Sequence, residues 1–199
     1  AAVHDENPEI AAAHAAGIPV FERAQAWGSI MRRYHNAVCI AGTHGKTTTT
    51  SMSTCIALAG GLDPTVMIGG TLPVVGAHHR VGHGDTIILE SCEYCNSFLS
   101  FFPTIAVILN VEADHLDFFH DLEDIQHSFR TFAELVPKDG LVIANWDDDS
   151  VRKTLEGINR PLLTFGLNEG DLHIANLVWN KGLDRKSTRL NSSHDQISY

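Results

Sequence analysis

The sequence predicts an α/β fold that contains a phosphate-binding loop and a mostly parallel sheet flanked by helices. Short apolar runs alternate with segments of helical periodicity along the chain. The apolar runs 86–89 and 105–109 each end at a polar residue, as buried parallel strands do when a site lies at their carboxyl ends. A glycine-bounded turn, Gly42 to Thr47, lies between a predicted strand and a predicted helix and has the composition of a phosphate-binding loop.

The individual elements follow from local sequence signals. The opening Asp5 to Glu9 predicts a helix start, because Asn7 can cap free amides and Pro8 loses no amide bond there, and Gly17 ends that helix. Apolar runs between turn residues predict strands, and periodic segments without Gly or Pro predict helices. The expected strands are 18–20, 37–41, 86–89, 105–109, 141–144 and 162–165, and the expected helices are 25–34, 46–59, 122–135 and 151–156, the last capped by Asp149 or Ser150.

Composition excludes several classes of protein. Hydrophobic residues make up 44% of the 199 residues and charged residues 19%, which is typical of a soluble globular protein with one well-buried domain. The formal charge of -10 argues against a nucleic-acid partner, because a phosphate backbone needs a basic footprint. No apolar run is long enough to cross a bilayer. The absence of a signal-like start and the four irregularly spaced cysteines favour a cytoplasmic protein, truncated at its N-terminus.

The glycine-bounded turn carries the strongest functional signal. Its glycines let backbone amides approach phosphate oxygens, and the helix that follows adds its positive N-terminal end. Lys46 is expected to reach the terminal phosphates of ATP, and Thr47 to offer its hydroxyl to Mg²⁺. The loop is shorter than the usual pattern, since Ile40 stands where the first glycine is normally found. The residues expected to bind nucleotide are Gly42, Thr43, His44, Gly45, Lys46, Thr47 and Thr48.

Acidic residues after the next strands are candidates to complete this site. Glu90 and Glu93 follow the second strand of the predicted sheet, and Glu90 is the better candidate for a metal ligand. Asp114 and His115 follow the third strand and could handle a metal, a phosphate or a proton. The alternative for each acid is a solvated loop residue, and for His115 an exposed or partly buried side chain without a catalytic role.

Three other clusters are better explained by ordinary structural roles than by a metal site or a redox site. The histidines in the glycine-rich stretch 76–84 lack an acid or cysteine at ligand spacing, so we expect a mobile polar loop there. Cys92 and Cys95 form a single C-x-x-C pair, which without a second pair is a weak signal for zinc or for redox activity. The acidic run 147–149 is typical of a turn and helix start. The histidines concerned are His78, His79 and His83.

The phosphate loop, Glu90 and the Asp114–His115 pair together resemble the Mur ligase family, which joins amino acids to UDP-muramyl precursors. Within that family the stretch 43–50 looks like the alanine-adding enzyme, and this resemblance covers residues 1 to about 180. The matching segments are Asp5 to Glu9, Gly17 to Val20, Ser97 to Leu99 and Asn110 to Asp117. Cys92 and Cys95 stand where relatives commonly carry acids, which weakens the carry-over of the substrate contacts around them.

The resemblance implies a reaction and a set of catalytic residues. The carboxylate of UDP-N-acetylmuramate is activated by the γ-phosphate of ATP as an acyl phosphate, which the amine of L-alanine then attacks in peptidoglycan synthesis. Lys46, Glu90 and His115 are the implied catalytic residues, with Thr47, Glu90 and His115 as metal ligands and Glu93 near the substrates. The family's central ATPase domain acts with an N-terminal and a C-terminal domain, so this chain alone is expected to be inactive.

The family pattern also implies how the chain is divided. Residues 1–35 correspond to the end of the N-terminal UDP-sugar-binding domain and a linker, and residues 36–182 to an incomplete central ATP-binding domain. Residues 183–199 are mostly polar and lack periodicity, which indicates a non-native or disordered tail similar to adaptor-derived read-through. The alternative is an ordinary solvated terminus. Rival functions are a P-loop nucleotide-binding module or switch without ligase activity, a ligase of recycled tripeptide and a folate-polyglutamate ligase.

Overall fold

The computed structural model describes residue 3, residues 6–180 and residues 184–191, with side-chain environments given up to residue 174. One nine-stranded sheet runs through these residues, in the order β3-β2-β4-β1-β5-β6-β7-β8-β9. Of the described strand pairs, β2–β3 and β8–β9 are antiparallel and the others are parallel. The strands are β1 Asn36–Ala41, β2 Thr65–Leu72, β3 Ala77–Arg80, β4 Thr86–Glu90, β5 Ile105–Ile108, β6 Leu141–Asn145, β7 Leu162–Gly166, β8 Leu172–Asn180 and β9 Asp184–Asn191.

Register places the ends of three central strands at one edge of the sheet. Ile40 near the end of β1 lies opposite Glu90, the last residue of β4, and opposite Val107 on its other side. The loops that leave β1, β4 and β5 therefore emerge side by side at the carboxyl edge. This is the edge at which open α/β sheets bind their ligands.

Helices cover both faces of the sheet, and their starts follow the expected cap chemistry. The Asn7 side chain accepts from the Glu9 amide at 2.9 Å, and Asp121 accepts from the Asp124 amide at 2.9 Å. The elements are α1 Pro8–Ala15, α2 Arg23–Met31, α3 Lys46–Ala59, a 3₁₀ segment Tyr94–Ser100, α4 Leu122–Glu134 and α5 Asp149–Leu155. Over the described residues, none of these helices is long and apolar enough to cross a membrane.

Two apolar clusters separate the layers. On one face Ile40, Val66 and Ile88 pack together with Ala57 of α3. On the other face the 3₁₀ segment and α4 meet, where Phe98 stacks on Phe132 at 4.6 Å between ring centroids. The larger cluster, on this second face, fixes the 3₁₀ segment and hence the loop that joins it to β4.

The fold confirms the predicted α/β class, and several boundaries differ from those expected. Helix α3 and the strands β1, β4, β5, β6 and β7 lie where the sequence placed them, within a residue at each end. Residues 18–20 are exposed and form no strand, so that prediction is wrong. Helix α2 covers 23–31 rather than 25–34, and Tyr34 beyond it donates to Thr65 Oγ1 at 2.8 Å. The turn after α2 lets Tyr34 make this bond.

Two further expectations are corrected and one lies partly outside the described residues. His78 and His79 belong to β3, which pairs with β2, instead of to a mobile loop. Asp148 caps α5 by accepting from the Val151 amide at 2.9 Å, in place of Asp149 or Ser150. Asp5 of the expected helix start, residue 183 and residues 192–199 lie outside the described residues. Within the expected tail, Asp184–Asn191 forms β9 against β8, and the non-native origin of 183–199 stays a prediction.

Candidate functional site

The loop between β1 and α3 adopts a backbone conformation that its two glycines make possible. Gly42 has φ 149° and Gly45 has φ 81°, conformations that residues with a side chain rarely adopt. A Cβ on Gly42 would also lie 2.9 Å from the Leu109 Cβ. In the described part of the chain no side chain caps the start of α3. The first-turn amides of α3 are therefore free to serve an external acceptor such as a phosphate.

Asn110, the second residue after β5, clamps this loop. The His44 amide donates to Asn110 Oδ1 at 2.7 Å, and Asn110 Nδ2 donates to the His44 carbonyl at 3.1 Å. Thr43 adds two further ties, because its amide donates to the Asn110 carbonyl at 3.2 Å and its hydroxyl accepts from the Glu112 amide at 2.9 Å. The loop is thus held to the neighbouring strand before any ligand binds, which keeps its amides oriented.

A hydroxyl–carboxylate pair lies at the start of α3. Thr47 Oγ1 donates to Glu90 Oε1 at 2.8 Å, and the other oxygen, Glu90 Oε2, accepts from the Gly69 amide at 2.6 Å. A Cβ on Gly69 would lie 2.7 Å from Glu90 Oε1, so β2 needs glycine there to admit the carboxylate. Thr47 is exposed and Glu90 is half-buried, so the pair lies near the protein surface.

Lys46 is held inside the loop by a buried carboxylate. Its Nζ donates to the carbonyls of Gly42 at 2.6 Å and Thr43 at 3.0 Å. The same nitrogen lies 3.1 Å and 3.0 Å from the two carboxylate oxygens of Glu93. The Glu93 side chain is only 3% exposed and that of Lys46 15%. The two opposite charges are therefore largely removed from water and depend on each other.

His115 lies on the far side of Glu93. Its Nε2 is 3.8 Å from Glu93 Oε1 and 4.0 Å from Asp114 Oδ2. The backbone at His115 is left-handed, with φ 52°, and the ring packs on that of Tyr94 at 4.7 Å. Tyr94 in turn donates its hydroxyl to Asp117 Oδ2 at 2.9 Å, and this bond raises the pKa of Tyr94 to about 12. The ring of His115 is thus fixed beside Glu93.

The structure brings the predicted site residues to one place but divides them into two groups. Thr47 and Glu90 form one oxygen-lined pair, while the side-chain contacts of His115 are with Glu93, Asp114 and Tyr94. Within the described ranges, no group of three or more His, Cys, Asp or Glu side chains is arranged to hold a metal ion. The residues expected to bind nucleotide, 42–48, form the loop and the first turn of α3.

Two partners in this site are not predicted by the sequence. The Gly69 amide that binds Glu90 belongs to β2, which the sequence did not predict, although a glycine inside an apolar run is a signal for close backbone approach. The sequence places Asn110 in a polar cluster after β5 but does not predict its hydrogen bonds to the loop. Cys92 and Cys95, which follow β4, are free cysteines.

Comparison with known proteins gives matches along the chain. The family model described as Mur ligase middle domain matches residues 40–198, and the one described as Mur ligase family, catalytic domain matches residues 1–35. A UDP-N-acetylmuramate--L-alanine ligase from Clostridium novyi is 46% identical over 182 residues, which is 92% of this chain and 40% of that protein. A ligase of the same name from Lachnospira eligens is 51% identical over 83% of this chain and 36% of that protein.

Solved structures with the same fold include other ligases. A UDP-N-acetylmuramate:L-alanyl-gamma-D-glutamyl-meso-diaminopimelate ligase from Neisseria meningitides superposes with a TM-score of 0.82 at 27% identity, covering 95% of this chain and 62% of that one. The UDP-N-acetylmuramate-alanine ligase of Thermotoga maritima gives 0.76 at 24%, covering 96% and 45%. The MurF ligase of Thermotoga maritima, solved in complex with ADP, gives 0.63 at 21%, covering 85% and 42%.

The chain spans about two fifths of the length of the curated relatives that it matches. The first family model alone covers well over half of the chain, and the sequence identities to relatives exceed 40%. By these matches and by the site described above, the chain belongs to the Mur ligase family.

Proposed function

We propose that this chain carries the ATP-binding centre of a cytoplasmic ligase that joins L-alanine to UDP-N-acetylmuramate in peptidoglycan synthesis. The observation that carries the proposal is the Thr47–Glu90 pair, 2.8 Å apart, beside the loop that holds Lys46. The names of the relatives from Clostridium novyi and Lachnospira eligens support the substrates, and the ADP complex of the Thermotoga maritima MurF ligase supports the nucleotide.

The donor set of the Thr47–Glu90 pair fits magnesium. A hydroxyl and a carboxylate are hard oxygen ligands, and Mg²⁺ is usually held by one or two such protein groups together with waters and nucleotide phosphates. Mg²⁺ at that position would neutralise charge on the β- and γ-phosphates during transfer. In this proposal Thr47 and Glu90 hold the ion, and His115 orients the phosphate or holds a second metal.

The protein's own groups then do the following. The loop amides and the N-terminus of α3 bind the phosphates, and Lys46 stabilises the charge that develops on the transferring γ-phosphoryl group. The loop holds this group in line with the muramyl carboxylate, and such positioning removes much of the entropic part of the barrier. The phosphoryl group moves from ATP to the carboxylate oxygen to give an acyl phosphate. The L-alanine amine then attacks that carbonyl and phosphate leaves.

The division of the chain remains part of the proposal. Residues 1–35 would end the UDP-sugar-binding domain and residues 36–182 would form most of the central domain, while 183–199 would be a non-native tail. Ligation then needs the segments of the family that lie outside this chain, and the chain alone would bind nucleotide without ligating.

A grafted enzyme tests the proposal. Residues 1–180 replace the matching stretch of the Clostridium novyi relative, and phosphate release is measured with ATP, Mg²⁺, UDP-N-acetylmuramate and a panel of amino acids. We expect release that depends on both UDP-N-acetylmuramate and L-alanine. Lys46→Ala should lower turnover by about 10² or more, judged from the loss of single charge-stabilising donors in other enzymes.

The matched control is Lys153→Ala, because Lys153 is an exposed lysine of α5. This variant should keep the turnover of the grafted enzyme. Near-normal turnover of Lys46→Ala would refute the assignment of the loop. Nucleotide binding without any phosphate release would favour the rival function, a nucleotide-binding module or switch.

A further inference from the structure

All three donors of the Lys46 ammonium group are already engaged by the protein. Two go to the carbonyls of Gly42 and Thr43, at 2.6 Å and 3.0 Å. The third direction is filled by Glu93, whose two oxygens lie 3.1 Å and 3.0 Å away. An ammonium group has three N–H donors and no more. A phosphate that binds Lys46 must therefore take the place of one of these three partners.

Glu93 is the partner that a phosphate would replace. The Gly42 and Thr43 carbonyls belong to the loop backbone, which hydrogen bonds to Asn110 keep in place. The Glu93 carboxylate is an anion, as a phosphate is, and both accept charge-assisted hydrogen bonds from an ammonium group. Two anions that need the same donor exclude each other, so Glu93 and the terminal phosphate compete for Lys46.

The Glu93 carboxylate needs another partner once Lys46 leaves it. Its side chain is 3% exposed, and a buried carboxylate without a partner is costly. The chain around it is also fixed, because the Asn96 amide donates to the Glu93 carbonyl at 2.9 Å and the Phe98 amide to the Cys92 carbonyl at 3.1 Å. His115 offers a further ring nitrogen near the carboxylate, since its Nε2 lies 3.8 Å from Glu93 Oε1.

We propose that Glu93 is a positioning residue that competes with the terminal phosphate of the nucleotide for Lys46. Phosphate binding moves Lys46 from Glu93 to the phosphate, and Glu93 turns to His115. This inference rests on the proposed nucleotide site at the loop. Its consequence is that Glu93 lowers the affinity for nucleotide below what the loop and Lys46 would otherwise give. The family resemblance implies only that Glu93 is an acid near the substrates.

The test is nucleotide affinity of the full 199-residue chain, measured by calorimetry with a non-hydrolysable ATP analogue and Mg²⁺. Glu93→Gln keeps the shape of the side chain and one acceptor oxygen but removes the charge that competes with phosphate. We expect it to bind the nucleotide about tenfold more tightly, the size of effect given by one charge-assisted hydrogen bond. Glu123→Gln, an exposed glutamate in the first turn of α4, is the matched control and should leave the affinity unchanged.

The direction of the change separates this role from a merely structural one. A glutamate that only supports the fold would weaken nucleotide binding when replaced, whereas a competitor strengthens it. The double variant Lys46→Ala/Glu93→Gln should show no gain over Lys46→Ala, because the gain passes through Lys46. If Glu93→Gln does not fold, Glu93→Asp draws the carboxylate back by one methylene and should show a smaller gain of the same sign.

Two results would overturn the inference alone. One is that Glu93→Gln, or Glu93→Asp in its place, binds nucleotide no more tightly than the native chain while Lys46→Ala weakens binding. The other is an equal gain in the presence and absence of Lys46. An unchanged affinity in Lys46→Ala would instead count against the proposed function itself, and the inference would fall with it.

Discussion

The contact between Gly69 and Glu90 gives a prediction that depends on the position of a single carbon atom. Changing Gly69 to Ala adds a Cβ 2.7 Å from Glu90 Oε1 and 3.0 Å from Glu90 Cδ. Carbon and oxygen cannot approach so closely, and the carboxylate at the end of its flexible side chain will move more readily than the strand. Glu90 Oε1 is the atom bound by Thr47 at 2.8 Å, so Gly69→Ala should separate Glu90 from Thr47.

The expected loss is that of one charge-assisted hydrogen bond or metal contact. Such an interaction is worth about 1.5 kcal/mol or somewhat more, which corresponds to about tenfold in the dissociation constant of the Mg²⁺–nucleotide complex. The free energy of unfolding should change by less than about 1 kcal/mol, because alanine is favoured over glycine in a strand. Calorimetry on the chain, with a non-hydrolysable ATP analogue in Mg²⁺ and then in EDTA, measures the effect.

The neighbouring glycine supplies the control. A Cβ on Gly70 would meet Thr47 Cγ2 at 3.4 Å, an ordinary van der Waals contact, so Gly70→Ala should keep the native affinity. In EDTA, native chain and Gly69→Ala should bind the nucleotide alike. Equal affinities of the two alanine variants in Mg²⁺, or a loss at Gly69→Ala that persists in EDTA, would show that the Gly69–Glu90 contact does not support metal binding.

Two predictions concern stability. Phe98 is fully buried and stacks on Phe132 at 4.6 Å between ring centroids. Phe98→Ala should therefore lower the free energy of unfolding, measured in urea, by about 3–5 kcal/mol. The control is Phe102→Ala, which should lower it by much less because Phe102 is 42% exposed. The hydrogen bond from Arg80 lowers the pKa of Asp63 from 3.8 to about 2. The ionised Asp63 therefore stabilises the folded chain fully above pH 4, and this stabilisation is lost as the pH falls towards 2. Asp63→Asn should therefore flatten the dependence of the urea midpoint on pH in that window, and an unchanged slope would contradict this origin.

The elements that the sequence predicted are those whose signals are local. Helix α3 has neither Gly nor Pro between Lys46 and Ala59, and the strands β1, β4 and β5 are apolar runs bounded by polar residues. The antiparallel pair β2–β3 was missed because Gly69 and Gly70 interrupt the apolar run of β2. The order of the strands depends on pairing between distant segments, which local periodicity does not encode.

The site was predicted in its residue types but only partly in its pairing. The position of Glu90 at the carboxyl end of β4 predicted its approach to Thr47, because parallel strands end at one edge. The ion pair of Lys46 with Glu93 depends on how the chain turns after β4, through left-handed backbone at Cys95 and Asn96, with φ 52° and 54°. Such conformations are uncommon for residues with a side chain, and no local sequence pattern predicts them here.

A crystal structure of the chain with Mg²⁺ and a non-hydrolysable ATP analogue would show directly whether Thr47 and Glu90 hold a metal ion beside the nucleotide. We expect an ion about 2.1 Å from Thr47 Oγ1 and from a Glu90 carboxylate oxygen, with the phosphates on the loop amides and Lys46 turned to the terminal phosphate. A nucleotide bound away from the loop, or an ion that contacts neither Thr47 nor Glu90, would contradict this expectation.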